Sequence, residues 1–167
     1  ISGYTPLQSA TGLFWINITM LISYFIWGYI LPKISDYGIN SIKLIKLGLP
    51  ISYFSLFLII YFGNNAGAFL FTIYIMTSIV ISLTQPAIAL NFSKNLAGKS
   101  LTSFNVFLFS GTFFIQWGIG LVIDICSNKG FDIVSSYRIS FSVFLILCVL
   151  SYIFFIYLNK KKYENKT

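Results

Sequence analysis

Histidine is absent from this chain of 167 residues, cysteine occurs twice, and aspartate and glutamate together number only four. Without histidine there is no base for a His-containing triad, no axial imidazole for a haem and no usual zinc ligand set. Neither a metal nor a cofactor is therefore expected. Cys126 falls at the end of one apolar stretch and Cys148 inside the next. They sit at different depths, so they read as small packing residues and not as a disulfide. Neither a Walker pattern nor a glycine-rich nucleotide loop occurs, which excludes ATP hydrolysis by this chain. No basic segment followed by a short apolar run opens the chain, so no signal peptide is visible; the start at Ile1 reads more simply as a truncation. Charge is scarce as well, at 9% of residues, against about 25% in soluble domains.

What fills the chain instead is apolar. Hydrophobic residues make up 57% of it, in five long stretches: Leu7–Leu31, Lys43–Phe62, Ala66–Asn91, Leu101–Ile125 and Arg138–Leu158. Each exceeds or matches the roughly 20 residues a helix needs to cross a bilayer core. The few charges in them lie at their ends, and no loop between them is long enough to form a domain. The expected fold is an all-α polytopic transmembrane bundle of five membrane-spanning helices. Residues 1–159 would be the transmembrane region and residues 160–167 a basic tail. The lipid bilayer is the first partner. The formal charge of +7 flanks spans and forms no reading surface, so nucleic acid is not expected.

The basic residues also set a direction. Lys33, Lys43, Lys46, Lys94, Lys99, Lys160, Lys161, Lys162 and Lys166 fall on one side of the membrane, and only Lys129 and Arg138 on the other. By the positive-inside rule the lysine-rich side, with the carboxyl tail, is cytoplasmic. Tyr4, Trp27, Tyr29, Tyr137 and Tyr157 lie near span ends, where interfacial aromatics sit.

The spans differ in their polar residues. The second carries Pro50, Ser52 and Ser55, and the fifth only Ser140, Ser142, Cys148 and Ser151. Both are expected to face lipid on most sides, with Pro50 kinking its helix. In the third, Gly67, Tyr74, Ser78, Ser82 and Gln85 fall within about an 80° sector at helical spacing, with Thr77 at its edge. In the fourth, Asn105, Thr112 and Gln116 lie within about 40° of each other. Gly111 and Gly118 lie nearly opposite and are expected to pack closely on another helix. The first carries Gln8, Thr11, Trp15, Thr19 and Ser23 on one stripe, while Asn17 points elsewhere. Polar groups at this depth need partners or water, so each stripe reads either as helix–helix hydrogen bonding or as a water-filled path. Thr19, Ser78 and Thr112 lie near the middles of their spans, the depth at which transporters bind substrate.

Two runs carry a resemblance. Phe92-Ser93-Lys94-Asn95-Leu96-Ala97-Gly98-Lys99 is followed by Asn105-Val106-Phe107 and then by Gln116-Trp117-Gly118-Ile119-Gly120-Leu121-Val122-Ile123-Asp124. Over these residues, 92–124, the chain resembles bacterial major facilitator superfamily transporters at the tenth-to-eleventh helix connection and the eleventh helix. Gly28-Tyr29-Ile30-Leu31-Pro32-Lys33-Ile34-Ser35-Asp36-Tyr37-Gly38 is similar to the family's cytoplasmic loop motif: Gly28, Lys33 and Gly38 fit it. Pro32 stands at the acidic position, and Asp36 where a basic residue is usual. The resemblance implies a partial carboxy-terminal half, helices 8–12 of twelve, in a bacterial cytoplasmic (inner) membrane. Helices 1–7 would then be missing from the chain. It also implies that the first, third and fourth spans flank or line the central cavity while the second and fifth lie outside.

The function that follows is secondary transport of a small-molecule solute by alternating access, in partnership with the amino-terminal half of the same transporter. Tyr74, Ser78, Gln85, Asn105, Thr112, Gln116, Trp15 and Thr19 are the expected path residues. A mid-membrane charge costs roughly 2.5–3.5 kcal/mol on insertion scales, and no span carries one, so a coupling carboxylate is expected in the other half. The alternative is a non-transporting integral membrane scaffold or subunit. A membrane enzyme is not expected: its only candidates, Asp36, Asp124, Asp132 and Glu164, are scattered over both sides.

Overall fold

The computed structural model describes residues 4–164, with side chains to Asn159. It is all-helical: α1 (Pro6–Asp36), α2 (Ser41–Phe62), α3 (Ala68–Ser78), α4 (Thr84–Asn91), α5 (Lys94–Asn128) and α6 (Ile133–Glu164). A 3₁₀ turn at Gly63–Asn65 follows α2, and a 3₁₀ segment at Ile79–Leu83 joins α3 to α4. Counting α3 to α4 as one span, five helices among the described residues are long and apolar enough to cross a membrane.

Local chemistry sets the starts. Thr5 and Gln8 form a reciprocal capping box before α1, with Pro6 at its first position. The Asn40 side chain accepts the Lys43 N–H at 2.9 Å before α2. Asp132 accepts from Val134 and Ser135 at 3.1 Å each before α6. The Tyr4 hydroxyl accepts the Ala68 N–H at the head of α3, tying the start of α1 to the third span.

α2 is the most covered helix. In its most apolar window 33% of residues are buried, against 0% for α5. It packs on α3, the 3₁₀ segment, α4 and α6. The line Ser41, Ile45, Leu49, Ser52, Ser55, Leu56 and Ile59 is buried along one face. On the same face a Cβ at Gly48 would stand 2.8 Å from Val80 Cγ1, so only glycine admits the 3₁₀ segment this close. One face of α2 is thus covered by its neighbours, while Leu47, Phe54, Phe57 and Tyr61 leave the other exposed. The small residues of α2, hydroxyls included, let neighbours approach, and that outweighs its uniform apolarity.

α2 runs unbroken through Pro50. A proline has no N–H for the carbonyl four residues back, here Lys46. The Tyr152 hydroxyl of α6 donates to that Lys46 carbonyl at 2.8 Å, supplying the missing partner. At the far end of α2, Arg138 donates to the Ile60 carbonyl at 2.9 Å and the Tyr61 carbonyl at 3.4 Å. The same side chain lies 3.3 Å from where a Gly63 Cβ would be, and Gly63 has φ +53°, so two separate constraints favour glycine there. On α6, Ser136 and Ser140 are 0% and 1% exposed. Ser140 donates to the Ile119 carbonyl of α5 at 3.0 Å. α1 lies on α3, and α5 on α4 and α6.

Candidate functional site

The third span brings the site into being by changing its own twist. Pro86 offers no N–H to the Ser82 carbonyl, and its ring crowds that carbonyl. The backbone ahead of it tightens into 3₁₀ geometry over Ile79–Leu83. Each residue then advances about 120° instead of about 100°, so five of them rotate the lower half by roughly 100° relative to a continuous α-helix. Tyr74 and Gln85, which a regular helix would place on one face, are separated. Tyr74 is half-buried close to Tyr53 of α2 and Cys148 of α6. Gln85 instead lines a cleft against α1.

That cleft, of about 330 Å³, lies between Tyr24, Trp27, Gly28 and Leu31 of α1 and Ser82, Leu83, Gln85 and Pro86. Its walls are aromatic and aliphatic. Its polar groups are the Ser82 hydroxyl and the Gln85 amide, neither hydrogen-bonded to another described side chain or backbone group, and the Tyr24 hydroxyl and Trp27 indole. No ionisable carboxylate or amine lines it. Such a surface can stack on a ring or apolar face while offering a donor and an acceptor, and it carries no complement for a charge.

The remaining predicted residues are dispersed. Thr19 is half-buried and donates to Trp15 O at 2.9 Å, while Trp15 is exposed and stands edge-on to Phe14 at 5.6 Å. Ser78 is half-buried and donates to Tyr74 O at 2.7 Å. Thr112 is exposed and donates to Leu108 O at 2.9 Å. Each hydroxyl is thus satisfied within its own helix. Asn105 is half-buried and Gln116 exposed on α5, and neither amide has a hydrogen-bond partner among the described residues. Around Gly111 and Gly118 an added Cβ would meet nothing within 4 Å, and Pro50 is exposed. The close-packing glycine is Gly48, which the sequence reading passed over. Its signal was the Gly48-to-Ser52 spacing, a pair of small residues one turn apart on one face.

In the loop motif, Gly28 lines the cleft. Lys33 is held by Tyr29: its Nζ lies 2.6 Å from the hydroxyl and 3.9 Å from the ring centroid. Asp36 is exposed at the end of α1, and no ion pair forms among the described residues. Gly38 has φ +75°, the left-handed geometry that closes a helix end. Cys126 and Cys148 are both free, and no group of His, Cys, Asp or Glu among the described residues could hold a metal.

Compared with family models, with curated proteins and with solved structures, the chain finds no match in any of the three.

Proposed function

We propose that this chain is the carboxy-terminal part of a secondary transporter of the major facilitator type, moving a small uncharged polar solute by alternating access. It works beside an amino-terminal half, in a bacterial cytoplasmic membrane, with its carboxyl tail in the cytoplasm by the lysine asymmetry. The observation that supports this reading most is α5. No residue in its apolar window is buried, yet it carries Asn105, Thr112 and Gln116 on one stripe. An unpaired amide facing hydrocarbon costs several kcal/mol on the order of an unmade hydrogen bond. That face therefore belongs to water or to a second helical body. The cleft at Trp27, Ser82 and Gln85 supplies uncharged polar groups on an aromatic wall, which suits a neutral solute.

The test uses single cysteines in the full-length protein, with Cys126 and Cys148 replaced by serine and alanine. A water-soluble thiol reagent is expected to label Gln85→Cys and Gln116→Cys and to spare Leu147→Cys, and solute at saturating concentration to slow labelling at Gln85→Cys. Equal protection of all three positions would show a packed, non-transporting scaffold and overturn the reading. A second check is the reading frame ahead of Ile1, which is expected to encode seven further spans.

A further inference from the structure

A second cavity, of about 470 Å³, opens at the lysine-rich end of the bundle. Leu31, Pro86, Ala87 and Leu90 form its apolar walls, and Ser41 and Ile42 its polar floor. That floor is the N-terminus of α2, a helix of 22 residues. The Asn40 side chain takes the Lys43 N–H. The N–H groups of Ser41 and Ile42 are left with no acceptor among the described residues, as the first turn of a helix leaves them. An independent observation points the same way. Ser41 is only 9% exposed, and its hydroxyl makes no hydrogen bond among the described residues. No unpartnered side-chain oxygen is sealed from solvent, so the Ser41 hydroxyl opens into the cavity it lines. Asn91 and Asn159 also line it; their amides donate to Ala87 O at 2.6 Å and Phe155 O at 2.8 Å, and each keeps a second N–H.

The lining is thus rich in donors and has no carboxylate. The connections at this end carry Lys33, Lys43, Lys46 and Lys94, with Asp36 among them and Glu164 at the end of α6, so that basic residues outnumber acidic ones there. Unpaired N–H groups at a helix N-terminus, a hydroxyl beside them and a positive field suit a tetrahedral anion. Apolar walls rising from that anion site suit something attached to it. We propose that this cavity seats the phosphate of an anionic phospholipid on the N-terminus of α2, with its glycerol and first acyl carbons against Leu31, Pro86 and Leu90. Phospholipid phosphates lie at the depth of span ends, and basic pockets between helices on the cytoplasmic side recognise them. The inference does not rest on the transport reading: a scaffold with this cavity would bind the same lipid.

The experiment is native mass spectrometry of the full chain in detergent, supplied with phosphatidylglycerol, with diacylglycerol or with inorganic phosphate. Phosphatidylglycerol is expected to be retained and diacylglycerol not. Ser41→Ala is expected to weaken retention about tenfold, the effect of one hydrogen bond to a charged group. Ala87→Trp, which fills the cavity, is expected to abolish it, with helical content by circular dichroism unchanged for both variants. Competition by inorganic phosphate would further support the phosphate as the recognised group. Equal retention of the two lipids, or retention unaffected by either folded variant, would overturn the proposal. Binding of inorganic phosphate with no retention of phosphatidylglycerol would overturn the lipid as its source.

Discussion

α2 and α5 are opposites within one bundle. α2 is nearly uniform in its apolarity, yet it is the most covered helix, packed along one face by α3, α4 and α6, and its polar backbone groups are completed from α6 by Tyr152 and Arg138. α5 is the more patterned helix, with amides on one side and glycines on the other. It nevertheless lies at the margin, touching only α4 and α6 to any extent. In lipid, apolarity does not rank helices by depth in the bundle, because hydrocarbon is as good a solvent for leucine as another helix is. Small residues decide which helix the others can approach: Gly48, Ser52 and Ser55 on α2, Ser136 and Ser140 on α6. The polar stripe of α5 is left largely uncovered by the other described helices.

The sharpest way to break this contrast is to enlarge one glycine on each helix. Gly48→Leu drives a side chain into Val80 and is expected to destabilise the chain by about 1–3 kcal/mol or more, read as a lowered midpoint in thermal or SDS titration. Gly111→Leu enters open space and is expected to stay within about 0.5 kcal/mol. If both are tolerated alike, α2 is not the more closely packed helix. Next in size is Arg138→Met, which leaves the Ile60 and Tyr61 carbonyls without a donor and is expected to cost about 1–3 kcal/mol by the same titration. A smaller effect distinguishes the two prolines' fates. Tyr152→Phe unpairs the Lys46 carbonyl and is expected to cost about 0.6–1.7 kcal/mol, the range of interhelical hydrogen bonds in membranes. In a Pro50→Ala background residue 50 regains its N–H and can pair with Lys46 itself, so there Tyr152→Phe is expected to cost almost nothing. Additive costs in that cycle would show that the hydroxyl serves some other purpose.

The smallest effect lies outside the membrane. The Ser135 hydroxyl and the N–H groups of Ser135 and Val134 hold the Asp132 carboxyl below its ordinary pKa of 3.8. A lowered folded pKa gives stability that is present in full above the ordinary value and fades as pH falls through the lowered one. Fraying of the start of α6 is expected only under acid conditions, and Asp132→Asn, an equally good cap, is expected to remove that pH dependence. Amide hydrogen exchange at Ile133–Ser136 reads both.

Much of this architecture is local and was legible in the amino-acid order. Five apolar segments demand helices because a backbone in hydrocarbon must satisfy itself within its own segment. The exact starts, set by Thr5 with Gln8, by Asn40 and by Asp132, came from the structure, although capping reaches only three residues ahead. Pro86 near the end of the third span marks in the sequence only a local loosening of its last turn. The size of the change, a five-residue 3₁₀ segment that parts Tyr74 from Gln85, was not readable, since the tightened turn is also held by Val80 and Leu83 packed on α2. The tertiary structure alone decided three further things: that α2 is the most covered helix, that Tyr152 completes Pro50's turn, and that Arg138 closes the end of α2. Those contacts join residues 106 and 78 positions apart. No periodicity within one helix encodes them, because rotation about a helix axis in lipid is set by the shapes that neighbouring helices bring to it.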